Sequence, residues 1–149
     1  MSPAARYYKQ RPRLSRACLV CGLTFTAKAS AVYCGNACRQ KAKRQRIKEA
    51  LREEQRKRFQ ALSAWWHSQT DLLSNPDAKI EHPAYQTVIN ELGRSAVPFI
   101  LEELRTHGGQ WYQALSEITG VSPALPIEAP YSLRAEHQAW LDWGTAQGF

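Results

Sequence analysis

All four cysteines of this 149-residue chain fall between positions 18 and 38, spaced Cys18-x2-Cys21-x12-Cys34-x3-Cys38. Disulfides of a secreted scaffold are spread along the chain, and a reducing compartment does not keep thiols oxidised. Two close pairs separated by a short insert have metal-ligand spacing, and four thiolates suit tetrahedral Zn²⁺. A redox C-x2-C, or buried thiols acting as small hydrophobes, would leave the second pair unexplained.

The neighbouring residues fit a metal knuckle. Gly22, directly after Cys21, lets the backbone turn around an ion. Leu23–Val32 alternates weakly and predicts a short hairpin turning near Lys28–Ser30. Asn36 is a good helix cap, which places Cys38 in the first helical turn, where the positive helix end favours a thiolate. Arg16, Lys28 and Arg39 would offset the negative charge of a Zn(Cys)4 centre. Knuckle, hairpin and helix in that order make a treble clef.

These residues, Cys18-x2-Cys21-Gly22-x2-Phe25 and Tyr33-Cys34-Gly35-x2-Cys38-Arg39-Gln40, resemble the treble-clef zinc fingers of small bacterial proteins over residues 17–46. Those fingers usually carry Ser where Gly35 stands here. The resemblance implies zinc and, often, nucleic-acid binding. HNH nucleases share the frame, but this window has no His.

Charge is unevenly distributed. Residues 1–58 hold 16 basic residues against Glu49, Glu53 and Glu54, a net +13; residues 59–149 hold four basic residues against ten acids, a net −6. Such asymmetry points to a polyanion partner for the first part. No Gly or Pro occurs between Asn36 and Asn75, and strong helix formers dominate, predicting a helix from Asn36 to about His67. Lys41, Lys48, Arg52 and Arg56 share one face of it, with like-charge i,i+4 repulsion that phosphates would relieve. With Arg11, Arg13 and Arg16 of the preceding arm, and with Arg39, Lys43 and Arg44, they are the candidate nucleic-acid contacts. DNA is slightly favoured over RNA, because a lone helix can enter the DNA major groove.

From Phe59 onward the pattern is that of a core. Phe59, Leu62, Trp66 and Leu73 recur at helical spacing, and all five Trp lie in this part. Asn75-Pro76-Asp77 reads as a loop. His82-Pro83 opens a helix that Gly93 ends; Ala96–Thr106 and Trp111–Ile118 follow; Ser132 caps a last helix reaching Ala146, with Leu133, Trp140, Leu141 and Trp143 as its core residues. Leu92–Leu104 resembles the turn and second helix of a HEAT-type repeat, in one copy. Residues 80–149 also resemble a group of short bacterial proteins, a likeness that supplies no activity.

The expected fold is mainly α: a small treble-clef zinc finger, a long basic helix and a compact HEAT-like helical domain. The expected division is a basic flexible arm over 1–16, the finger over 17–46, a connecting basic helix over 47–68 and an acidic helical domain over 69–149. His67, His82, His107 and His137 read as surface or capping residues. Glu102 and Glu103 face different ways on a helix and make a poor acid/base pair. No phosphate-binding glycine loop or nucleophile elbow is present. The expected function is therefore a non-enzymatic, cytoplasmic adaptor or regulator that holds zinc, binds DNA or RNA, and meets a protein partner through residues 69–149. The alternatives are a structural subunit whose basic helix binds an acidic protein, or a non-catalytic subunit of a nuclease or toxin–antitoxin complex. No apolar run approaches the roughly 20 residues that span a bilayer, so no membrane role is expected, and the charged N-terminus predicts no signal peptide.

Overall fold

The computed structural model describes residues 13–128 and 132–149. Arg11 and most of the expected arm lie outside the described residues. The chain divides into two compact units, Met1–Ala50 and Leu51–Phe149, and is mainly helical with one small sheet.

In the first unit, strands β1 (Arg13–Ala17) and β2 (Thr24–Lys28) pair antiparallel, from Arg13 opposite Lys28 to Ala17 opposite Thr24. This corrects the expected hairpin within residues 23–32. The knuckle itself is the hairpin turn: Cys18 N–H donates to Leu23 O (2.9 Å), and Gly22 N–H donates to Cys18 O (2.9 Å). Gly22 has φ +73°, which a side chain would resist. The turn expected at Lys28–Ser30 does form, with Ala31 N–H donating to Lys28 O (2.9 Å), but the chain beyond it runs as a loop to the next helix. Arg13 and Arg16, expected in the flexible arm, belong to strand β1.

Helix α1 spans Asn36–Thr70, about 52 Å at 1.5 Å per residue. Its first bond runs from Arg39 N–H to Gly35 O (3.1 Å). Gly35 therefore takes the cap role expected of Asn36, one residue earlier, and glycine is acceptable there.

In the second unit, the C-terminal part of α1 buries Phe59, Ser63, Trp66 and Thr70. Leu73, expected in the core, is 43% exposed. Pro76 and Asp77, expected in a loop, open a five-residue helix, α2 (Pro76–Ile80), which the Asn75 side chain caps by accepting from Asp77 N–H (3.0 Å). His82 caps α3 (Pro83–Thr87) through Nδ1, which accepts from Ala84 N–H (3.1 Å). A π-helical turn (Val88–Leu92) and a 3-10 turn (Gly93–Ala96) lead into α4 (Val97–Thr106), with Pro98 in its first turn. Helix α5 (Tyr112–Thr119) ends on Gly120 at φ +72°. Ser132 caps α6 (Leu133–Ala146) as expected, although Leu133 is exposed.

An aromatic cluster forms the centre of this core. The Tyr85 and Trp111 rings stack (4.9 Å, 2°), and Trp66 and Phe59 pack on Trp111 at 4.5 and 5.5 Å. Each buried polar handle finds a partner. Trp66 Nε1 donates to Lys79 O (2.9 Å), and the Tyr85 hydroxyl donates to Gln110 O (3.2 Å) and accepts from Ala114 N–H (2.9 Å). Burial of Tyr85 raises its phenol pKa well above the usual value. Among the described residues no helix is long and apolar enough to cross a membrane.

Candidate metal centre

The hairpin turn delivers Cys18 and Cys21, the loop before α1 delivers Cys34, and the first turn of α1 delivers Cys38. All four Sγ atoms lie within 4.8 Å of one another, and none is in a disulfide. The Cys21–Cys34 and Cys34–Cys38 Sγ separations are 3.6 and 3.5 Å. A tetrahedral ion with metal–sulfur bonds near 2.3 Å requires sulfur–sulfur edges of about 3.8 Å. The set is therefore already close to the size of a four-thiolate site, and it could hold a metal ion.

Local bonds fix that geometry. Leu19 N–H donates to Val32 O (3.1 Å), and the Arg16 guanidinium donates to Ala31 O (3.1 Å), so the loop before Cys34 is tied back to the knuckle. Arg46 donates to the Tyr33 hydroxyl, which ties the same loop to α1. Cys18 is buried. Burial pushes its thiol up, but backbone N–H groups of Cys21, Cys34 and Val20 outweigh that and bring it down to about 6. The Cys34 thiol, pressed against Cys38, Cys21 and Cys18, is pushed up to about 12. Four thiols this close resist ionising together, and a divalent cation at their centre removes that resistance.

The remaining expected site residues do not behave alike. Arg39, Lys41, Lys43, Arg44, Lys48 and Arg52 are exposed, and among the described residues no carboxylate lies within ion-pair distance of any of them. Arg13 is exposed on β1 opposite Lys28, and Arg16 is spent on Ala31. Arg56 is engaged within its own unit: it pairs with Glu102 (2.9 Å) and Glu53 (3.9 Å), and its guanidinium lies over the Phe99 ring, 5.3 Å from the centroid.

One cluster escaped the sequence reading. The Glu103 carboxylate accepts from Ser63 Oγ (2.7 Å to each oxygen) and from Trp111 Nε1 (2.8 Å), and faces His67 Nε2 (2.8 Å), whose Nδ1 faces Asp71 (2.8 Å). Ser63, His67, Asp71 and Glu103, with Gln60 and His107, line a cavity of about 490 Å³. The available signal was Ser63 and Thr70 on the stripe of Phe59 and Trp66: a hydroxyl buried among aromatics needs a polar partner.

Comparison with protein-family models, curated proteins and solved structures finds no match.

Proposed function

We propose that the chain is a zinc-binding, non-enzymatic nucleic-acid adaptor, with its helical unit available to a protein partner. The observation that carries this reading is the conjunction on one short stretch of chain. Four thiols gathered to the size of a tetrahedral site lead directly into a helix whose basic residues, from Arg39 to Arg52, have no acidic partners among the described residues. Four sulfur ligands in that arrangement favour zinc among common divalent ions. Unpaired Lys and Arg at i,i+4 repel one another, and phosphates that displace counterions relieve this. The resemblance to bacterial treble-clef fingers supports the same reading. The acidic second part is poorly suited to phosphate and suits a protein partner better, and a cytoplasmic address agrees with free thiols.

The test is a titration of purified, zinc-loaded protein against fluorescent random-sequence DNA and RNA at several salt concentrations. Binding that weakens log-linearly with salt is the expected result. Failure to bind either polymer at low salt, together with copurification of an acidic protein, would favour the structural-subunit reading instead.

A further inference from the structure

On the nucleic-acid reading above, we infer that the Arg39–Lys48 stretch of α1 reads duplex DNA through its major groove, with Gln40, Arg44 and Ile47 facing the bases. Successive residues of a helix are about 100° apart. Gln40, Arg44 and Ile47, spaced by four and three, therefore share one edge. That edge lies on the opposite side of the helix from Cys38 and Ala42, which are half-buried, whereas Arg39–Lys41 and Lys43–Lys48 are all exposed. Lys41 and Lys48 form a row about 90° to one side of the edge, and Arg39 and Lys43 form a row about 90° to the other.

A cationic row on each flank of a polar and apolar edge fits a groove with phosphates on both walls. The B-DNA major groove, about 12 Å wide, admits a helix. In A-form RNA the major groove is too deep and narrow for side chains to read. A single strand offers one backbone and is held by stacking on aromatics, and this edge has none. The chemistry of the edge is that of base recognition. Arginine can bond guanine O6 and N7, glutamine can bond adenine N6 and N7, and an aliphatic side chain packs on the thymine methyl. Ile47 is 59% exposed, and no core contact explains it.

The experiment uses the full-length zinc-loaded chain. A duplex is selected from a random DNA pool, and binding is measured by fluorescence anisotropy to that duplex, to an RNA duplex of the same sequence and to its single strands. The DNA duplex is expected to bind tightest. Arg44→Ala and Gln40→Ala should each cost about 5- to 150-fold on the selected duplex and relax the preference at one base pair. Replacing thymine by uracil at the contacted step should weaken wild type but not Ile47→Ala. Lys41→Gln with Lys48→Gln should weaken all duplexes alike. These side chains are exposed, so metal content and circular dichroism should not change. If RNA or single strands bind as well as duplex DNA, or if the edge variants bind every sequence as wild type does, this inference falls while the nucleic-acid reading stands. If no nucleic acid binds even at low salt, both fall.

Discussion

His67 Nε2 lies 2.8 Å from a carboxylate oxygen of Glu103, joining α1 to α4 across 36 residues of sequence. With Asp71 at the other ring nitrogen, the imidazole is placed between two acceptors, the arrangement that suits a doubly protonated ring. Ser63 and Trp111 complete the shell around Glu103.

A pH dependence follows. Burial alone would lower the His67 pKa, but the hydrogen bonds and charges of Asp71 and Glu103 outweigh it and raise the value above 6.5. A raised folded-state pKa contributes stability that is fully present below the unfolded value and is lost as pH rises through the folded value. The stability of the Trp-containing unit, followed by Trp fluorescence, should therefore fall as pH rises above the ordinary histidine value of 6.5. His67→Gln should flatten that dependence. An unchanged slope in the variant would refute the assignment. Glu103→Ala should be costlier at any pH, by roughly 2–5 kcal/mol, because it strands the Ser63 hydroxyl and the Trp111 N–H.

Metal analysis of purified protein should give about one zinc per chain, and Cys38→Ser should lower metal content sharply. The hairpin has only five residues per strand, and a two-stranded hairpin is marginal in water. Losing the ion should therefore disorder the hairpin while the near-ultraviolet circular dichroism of the Trp residues persists. Full zinc content in Cys38→Ser would remove this residue from the ligand set.

Gly144 tests the packing of α6 on α4. A Cβ added there would sit 2.6 Å from Leu101 Cδ1, and Leu101 is completely buried. Alanine gains roughly 1 kcal/mol of helix propensity over glycine, while overpacking costs about 1–3 kcal/mol. Gly144→Ala should therefore be neutral to about 2 kcal/mol destabilising, by urea denaturation. A clear gain in stability would mean that Leu101 moves aside freely.

What the sequence made legible was local. The thiol cluster follows from the spacing of two close Cys pairs, and the helix starts at Pro83 and Leu133 follow from His82 and Ser132. Pairing across the chain was not legible. β1 joins β2 around the knuckle, and Arg13 and Arg16 disguised the strand as a charged arm. Asn75-Pro76-Asp77 reads as a loop from its composition, although a capping side chain followed by proline is equally a helix start. Glu103 was dismissed on its relation to Glu102, whereas its partners lie 8 to 40 residues away. Local pattern carries no information on such distances.

Arg56 and Lys48 lie eight residues apart on the same helix, and sequence alone put them to the same use. Lys48 is exposed and has no ion-pair partner among the described residues, so Lys48→Gln should reduce the salt slope of duplex DNA binding by about 0.9 and leave the melt unchanged. Arg56 is only 33% exposed and pairs with Glu102 over Phe99. A partly exposed ion pair contributes about 0.2–1 kcal/mol, and a cation over an aromatic face about 0.5–1 kcal/mol. Arg56→Gln should therefore cost about 1 kcal/mol in denaturant unfolding and barely alter the salt slope. Measuring both variants in both assays separates the roles. If Arg56→Gln lowers the slope as much as Lys48→Gln and leaves stability intact, the pairing with Glu102 yields to phosphate, and Arg56 is itself a phosphate contact.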